Sequence, residues 1–275
     1  MAGSRYAEKF TSDDGSSIVF TFPLNLYEWD SGSQPLSSPF APLAGAHYDY
    51  DMLGTSLATK RNGIESVRFI VKGTAAEIQD KLAEARQKCY RAGRGKLWAL
   101  DSTGDRWWAY SRVRSMPGFQ LDNPFSVPVT MDFERMSDWY NDTAVAADVT
   151  LNANPTTFSI DTLGNAKVFN AVFIFKGTYV DPALTNSTNG YVMASTRDGS
   201  NANHWLRFRC GQGRGGVEFS SNGGTSYSGD YASFVRQTGQ VHFMVLEPGV
   251  NNFSCAFGGV PSGTLSYSLY PAYHG

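Results

Sequence analysis

The sequence predicts a mainly β protein: an N-terminal β-sandwich or barrel-like domain carrying one α-helix, then a C-terminal antiparallel β-sandwich. Three observations lead there. Only one segment, at about residues 74–92, keeps a helical apolar period over several turns. Short runs of alternating apolar and polar residues recur elsewhere, separated by Gly and Asn turn signals. The charged fraction is low at 17%, while aromatics reach 14% and glycines number 28, a composition suited to strands and tight turns.

The elements follow in order. Ser31–His47 is rich in Pro and Ser and reads as an extended loop or arm. Glu65–Gly73 is a strand that runs directly into the helix. Thr74 is placed to cap that helix and Glu77 to complete a Thr-x-x-Glu box, which satisfies two orphaned amide donors. Ile78, Leu82, Ala85 and Cys89 share one face, and Gln79, Asp80, Glu84, Gln87 and Lys88 occupy the other. Arg86, Lys88 and Arg91 lie towards the C-terminal end, where the dipole favours cations, and Gly93 and Gly95 release the chain.

After the helix, Gly95–Leu100 and Arg106–Met116 form a hairpin around the turn Asp101–Asp105, with Gly104 supplying the backbone freedom. Phe125–Met136 follows as a strand alternating on Val127, Val129, Met131 and Phe133, and Pro128 argues for an edge or strand-start position. Charge density falls near residue 148, and the small, polar Asn141–Thr157 reads as a linker. The expected domains are therefore 1–147 and 148–275. The second half offers seven strands: Ala171–Val180, Gly190–Thr196, His204–Gly211, Gly216–Ser221, Gln240–Glu247, Asn252–Gly259 and Gly263–Pro271, spaced as in an antiparallel sandwich.

Several function classes are excluded by what is missing. A net charge of −2 without a basic run argues against nucleic-acid binding. No run is long and apolar enough to cross a bilayer, so no membrane insertion is expected, and the first fifteen residues lack a signal-peptide core. Cys89, Cys210 and Cys255 are odd in number and far apart, which fits buried small hydrophobes in a chain made in a reducing cytoplasm.

No catalytic constellation emerges, so the chain is not expected to be an enzyme and no cofactor is implied. His47, His204, His242 and His274 have no metal-ligand spacing. Asp49 and Asp51 lack the glycine-centred loop of a calcium site. The glycine run Gly211–Gly216 joins two strands rather than opening a helix, so it reads as a turn and not a phosphate cradle. The sequons at Asn141, Asn186 and Asn252 fit chance in an Asn/Ser/Thr-rich chain.

One surface feature stands out. In "HWLRFRC", alternation puts Leu206, Phe208 and Cys210 on one face and Trp205, Arg207 and Arg209 on the other. Such a face can stack on a sugar, anchor a neighbouring protein, or merely cover itself with Arg stems. In the hairpin, adjacent Trp107 and Trp108 must point to opposite faces, so one of them points away from its own core and is open to an intersubunit contact.

The run from "ATKRNGIESVRFIVKG" through the helix to "LWALDSTGDRWWAYSRVRSM" and "VPVTMDFERMSDWY" resembles the N-terminal belt domain of siphophage distal tail proteins (Dit-like). Trp139 and Tyr140 match the aromatic pair that closes this portion in the family. Gly164 and Asn165 match its Gly-Asn restart before the strand Ala171–Gly177. The second half then resembles that family's galectin-like sandwich. The resemblance implies a structural virion protein of a long non-contractile tail: a homo-oligomeric, hexameric ring at the tail tip, joining the tube protein to the hub, the baseplate and the host-attachment apparatus. Two other readings stay open: a carbohydrate-binding adhesin using Trp205, or another tail component such as a tube protein with an appended sandwich.

Overall fold

The computed structural model describes residues 5–13, 15–22, 28–31, 63–101, 103–115, 126–210, 215–235, 237–240 and 243–273. The arm expected at Ser31–His47 (Ser31 excepted), the Asp49–Asp51 pair and His47, His242 and His274 lie outside them, as does most of the Gly211–Gly216 turn. The chain divides into two compact units, Met1–Asp142 and Thr143–His274.

The first unit is built from β1 (Arg5–Ser12), β2 (Ile18–Thr21), β3 (Glu28–Ser31), β4 (Ile64–Lys72), α1 (Ala75–Ala92), β5 (Arg94–Asp101), β6 (Arg106–Ser115), β7 (Ser126–Arg135) and β8 (Trp139–Asn141). The sheet runs β2-β1-β5-β6-β7-β4-β3, with β8 also beside β6. The paired strands of this unit are antiparallel.

Helix α1 has the expected cap. The Glu77 amide donates to Thr74 Oγ1 at 3.4 Å, and the Thr74 amide donates to Glu77 Oε2 at 2.8 Å. The Thr74 amide, and after it the Thr74 hydroxyl, which also donates to Glu77 Oε2 at 3.1 Å, hold the Glu77 carboxyl below its usual range. Ile78, Leu82, Ala85 and Cys89 are buried, so the predicted stripe is the face that meets the sheet. Gly93 ends the helix at φ 61°, a left-handed conformation that suits glycine.

The sheet face under α1 collects Phe10, Val67, Phe69, Val71, Leu97, Ala99, Val129, Met131 and Phe133, all buried. Phe10 on β1 and Phe133 on β7 have ring centroids 5.3 Å apart, although β5 and β6 separate their strands. Neighbouring strands lie roughly 4.8 Å apart, so the contact shows that the sheet curls on itself into a barrel-like wrap. Pro128 sits inside the strand order, yet the β6–β7 pairing stops at Ser115–Asp132. Among the described residues Pro128 pairs with Ile70 of β4 and lies beyond the end of the β6 pairing, an edge-like position that tolerates a missing N–H.

The second unit comprises β9 (Val145–Leu151), β10 (Thr156–Asp161), β11 (Val172–Tyr179), β12 (Ala183–Asn186), β13 (Tyr191–Ser195), β14 (Gly199–Arg209), β15 (Gly216–Ser220), β16 (Ser228–Gly229), β17 (Phe234–Val235), β18 (Val250–Ala256) and β19 (Ser262–Leu269). They form two sheets, β10-β18-β12-β13-β17 and β16-β15-β14-β11-β19-β9. The sheets meet face to face: Phe173 lies 5.6 Å from Phe253, and Cys210 Sγ lies 3.8 Å from Met193 Sδ. This is an antiparallel sandwich.

Two expectations are corrected. The segment Asn141–Thr157 is no linker, since it contains β9 and the start of β10. Strand β9 is a sheet edge whose Ala146, Ala147 and Asp148 stay exposed, so the usual apolar alternation is absent. Within Gln240–Glu247, the described residues form no named strand. Met244, Val245 and Leu246 are buried, but the only β-bridge is Val168–Leu246, supported by two backbone bonds. Burial on both sides of an irregular segment gives the apolar richness that reads as a strand. All three cysteines are free thiols with buried side chains.

Candidate interaction surfaces

The hairpin β5–β6 positions the two adjacent tryptophans. Pairing of Ala99 with Trp107 and of Trp98 with Trp108 sends Trp107 to the α1 side and Trp108 to the opposite face. Trp107 donates its indole N–H to Asp101 Oδ2 at 3.0 Å. Asp101 Oδ1 accepts from the amides of Thr103 and Asp105 and from the Thr103 hydroxyl, which organises the turn. Partial desolvation pushes the Asp101 carboxyl up, but these hydrogen bonds outweigh it and hold the pKa at about 2.

Trp108 does face away from α1, as alternation requires, yet it is only 3% exposed. Its ring lies 4.5 Å from Tyr140, 5.3 Å from Tyr110 and 6.3 Å from Trp98, with the Lys96 ammonium 4.3 Å above it. The expected outward ring already has an intramolecular cover. Sequence alternation cannot show this, because much of the cover, Tyr140 and Trp98, comes from other strands.

Strand β14 shows the expected two-sided pattern: Leu206, Phe208 and Cys210 are buried, and Trp205, Arg207 and Arg209 are half-exposed. The three outward groups are tied into their own sheet. Arg207 and Arg209 each bond to Glu218, at 2.6 Å, and the Arg207 guanidinium stacks 3.6 Å from the Tyr227 ring centroid. Trp205 donates to the Ala202 carbonyl at 3.0 Å, with the Lys176 ammonium 4.7 Å from its ring. Gly224 lies against the same indole so closely that an added Cβ would fall 2.4 Å from it. Glu218, the shared acceptor, was not legible as a partner because cross-strand register is needed to place it opposite Arg207.

Sequence reading also missed a buried ion pair in the first unit. Glu65 and Arg135 are 2% and 3% exposed, with 3.4 Å between Oε1 and Nε. The Arg135 guanidinium lies 5.9 Å from the Trp139 ring. A second polar cluster joins Arg197 to Asp230 through two bonds of 2.8 Å, and Ser233 donates to Asp230 as well. The Arg197 bond chiefly holds the Asp230 carboxyl below its usual range.

Among the described residues, no group of three or more His, Cys, Asp or Glu is arranged to hold a metal ion. Among them, too, no helix is long and apolar enough to cross a membrane. What the structure offers is surface.

The architecture has solved counterparts. It matches the crystal structure of SPP1 Dit (gp 19.1), described as a paradigm of the hub adsorption apparatus in phages that infect Gram-positive bacteria. That match spans 98% of each chain, with a TM-score of 0.55 and 13% identity. It also matches a chain of the phage p2 baseplate in its activated conformation with Sr, over 98% of each chain, at TM-score 0.56 and 7% identity. The same baseplate with Ca gives a TM-score of 0.55 and 7% identity over 97% of this chain and 98% of that one. No protein-family model and no curated protein matches the sequence.

The fold is therefore that of phage tail baseplate components. More narrowly, it is Dit-like across both units.

Proposed function

We propose that this chain is a structural protein of the phage tail tip, in which six copies form a ring that joins the tail tube to the hub and host-attachment apparatus. The observation that carries the reading is the extent of the match to SPP1 Dit: 98% of both chains, so that a curled sheet with one buttressing helix and an appended sandwich recur together. The sheet of the first unit supports it physically. Its path ends at β2 and β3, and strand edges of this kind can be covered when sister copies close a ring.

Purified protein examined by native mass spectrometry and negative-stain imaging tests the proposal. Six-fold rings, formed alone or on mixing with tube or hub protein, are expected. A strictly monomeric chain that binds neither would overturn it, and stacked filaments would favour a tube protein instead. The adhesin reading receives no support from the outward residues of β14, whose guanidinium groups and indole N–H are already engaged within the sandwich.

A further inference from the structure

Leu163 adopts φ 55°, one of two non-glycine residues with a positive φ among the described residues. A side chain bearing a Cβ is disfavoured there, and leucine has no polar group with which to compensate. The surroundings hold it in place. Its amide donates to Asp161 Oδ1 at 3.0 Å, and its carbonyl accepts from the Tyr273 hydroxyl at 2.6 Å. The side chain nevertheless gains little from the fold, being 61% exposed. Val250, 57% exposed, pairs with Asp161, two residues before Leu163 in the chain. The result is an aliphatic knob at one end of the sandwich, held out by a strained backbone and flanked by an exposed acid, Asp161.

The first unit carries a surface of opposite character. Between α1 and β2 lies a half-open groove of about 540 Å³. Phe20, Phe69, Val71, Leu82 and Ala85 contribute its apolar lining, and Ile18, 63% exposed, stands at its lip. Lys72, Lys81 and Lys88 line it against one acid, Glu84, which pairs with Lys88. The groove is apolar with a net positive rim; the knob is apolar with a negative flank. Ile18 at the groove and Leu163 at the knob are both exposed.

We propose that the Leu163–Val250 knob of one copy seats in the α1–β2 groove of the next, a head-to-tail contact between copies of this chain. Two different patches in contact make a heterologous interface, the kind that closes into a ring when the rotation fits. The strain at Leu163 then has a use: it presents an anchor that the isolated fold does not need. The inference rests on the ring reading above and specifies how neighbouring copies meet.

Two variants test it, each altering an exposed residue: Leu163→Gly removes the anchor and relieves the backbone, and Ile18→Asp places a charge at the groove lip. Sedimentation velocity and native mass spectrometry are run on wild type, on each variant and on their equimolar mixture. Wild type should form rings, and each variant should remain a folded monomer with a cooperative unfolding transition. The mixture is the decisive arm. Each variant keeps one competent patch, so mixing should give pairs joined by a single contact and nothing larger. A wild-type ring that Leu163→Gly leaves intact overturns the contact while leaving the ring reading standing. A wild type that stays monomeric with tube and hub protein present overturns both. Unfolded Leu163→Gly protein would also overturn the proposal, since it would show that the fold itself depends on that side chain.

Discussion

Trp107 Nε1 and Asp101 Oδ2 are joined at 3.0 Å, so the carboxylate that shapes the β5–β6 turn also anchors the first tryptophan of the following strand. One side chain thereby sets both the turn and the direction of the indole behind it.

Acidification should expose this link. The Asp101 carboxyl sits at about 2 in the folded chain against an ordinary 3.8. A depressed carboxylate contributes stability in full above its unfolded value and loses it as pH falls through the folded one. The contribution is therefore present above about pH 4 and fades towards pH 2. Asp101→Ala should lower stability at pH 7 by about 1–2 kcal/mol, and its deficit relative to wild type should shrink between pH 4 and 2. Urea melts across that range check both statements.

The cap of α1 makes a local contribution. Thr74→Ala removes the acceptor for the Glu77 amide and should cost about 1 kcal/mol. Thr74→Ser retains the oxygen and should cost much less, which chemical denaturation can resolve.

Glu65 and Arg135 should behave as a pair. Removing one partner leaves a buried charge, so Glu65→Ala or Arg135→Ala alone should cost about 3–5 kcal/mol. Glu65→Leu combined with Arg135→Met replaces both charges with apolar volume and should recover most of that loss. A double-mutant cycle measured by guanidinium unfolding is the check; equal costs for single and double replacements would contradict it.

Trp108→Ala separates packing from assembly. Its ring is enclosed by Tyr140, Tyr110, Trp98 and Lys96, so truncation should destabilise the chain by about 3–5 kcal/mol. A variant that melts like wild type but fails to form rings would support the subunit-contact role expected for one of the two tryptophans.

Trp205→Ala should leave glycan-array profiles unchanged, because the indole and both neighbouring guanidinium groups serve the sandwich surface. Loss of a specific glycan signal on that substitution would revive the adhesin reading.

Much of the fold was legible where a single element carries its own signal. The stripe Ile78, Leu82, Ala85 and Cys89, together with the Thr74–Glu77 box, is local and defined α1. The alternations in β4, β5, β7 and β14 were equally local. Strand β1 was missed because its register shifts between Ala7 and Lys9, which breaks the period of two. Strands β9 and β10 were missed because edges leave half their residues in water. The surfaces were harder to read than the strands. Which face Trp108 takes follows from alternation, but what covers that face depends on Tyr140 and Trp98, distant in sequence. Leucine itself does not mark position 163 as left-handed; it is held there by a local bond to Asp161 and a long-range one from Tyr273. Sites made by register and by long-range closure are invisible until the strands are aligned.

The buried thiols give the protein a built-in clock. Burial pushes Cys89 and Cys255 up to about 12 and Cys210 higher still, so almost no nucleophilic thiolate exists at neutral pH. Alkylating reagents should pass over the folded protein and mark only chains that have opened. Cys89 times the release of the helix from its sheet, while Cys210 and Cys255 time the parting of the sandwich, so one mass spectrum would record which unit yields first.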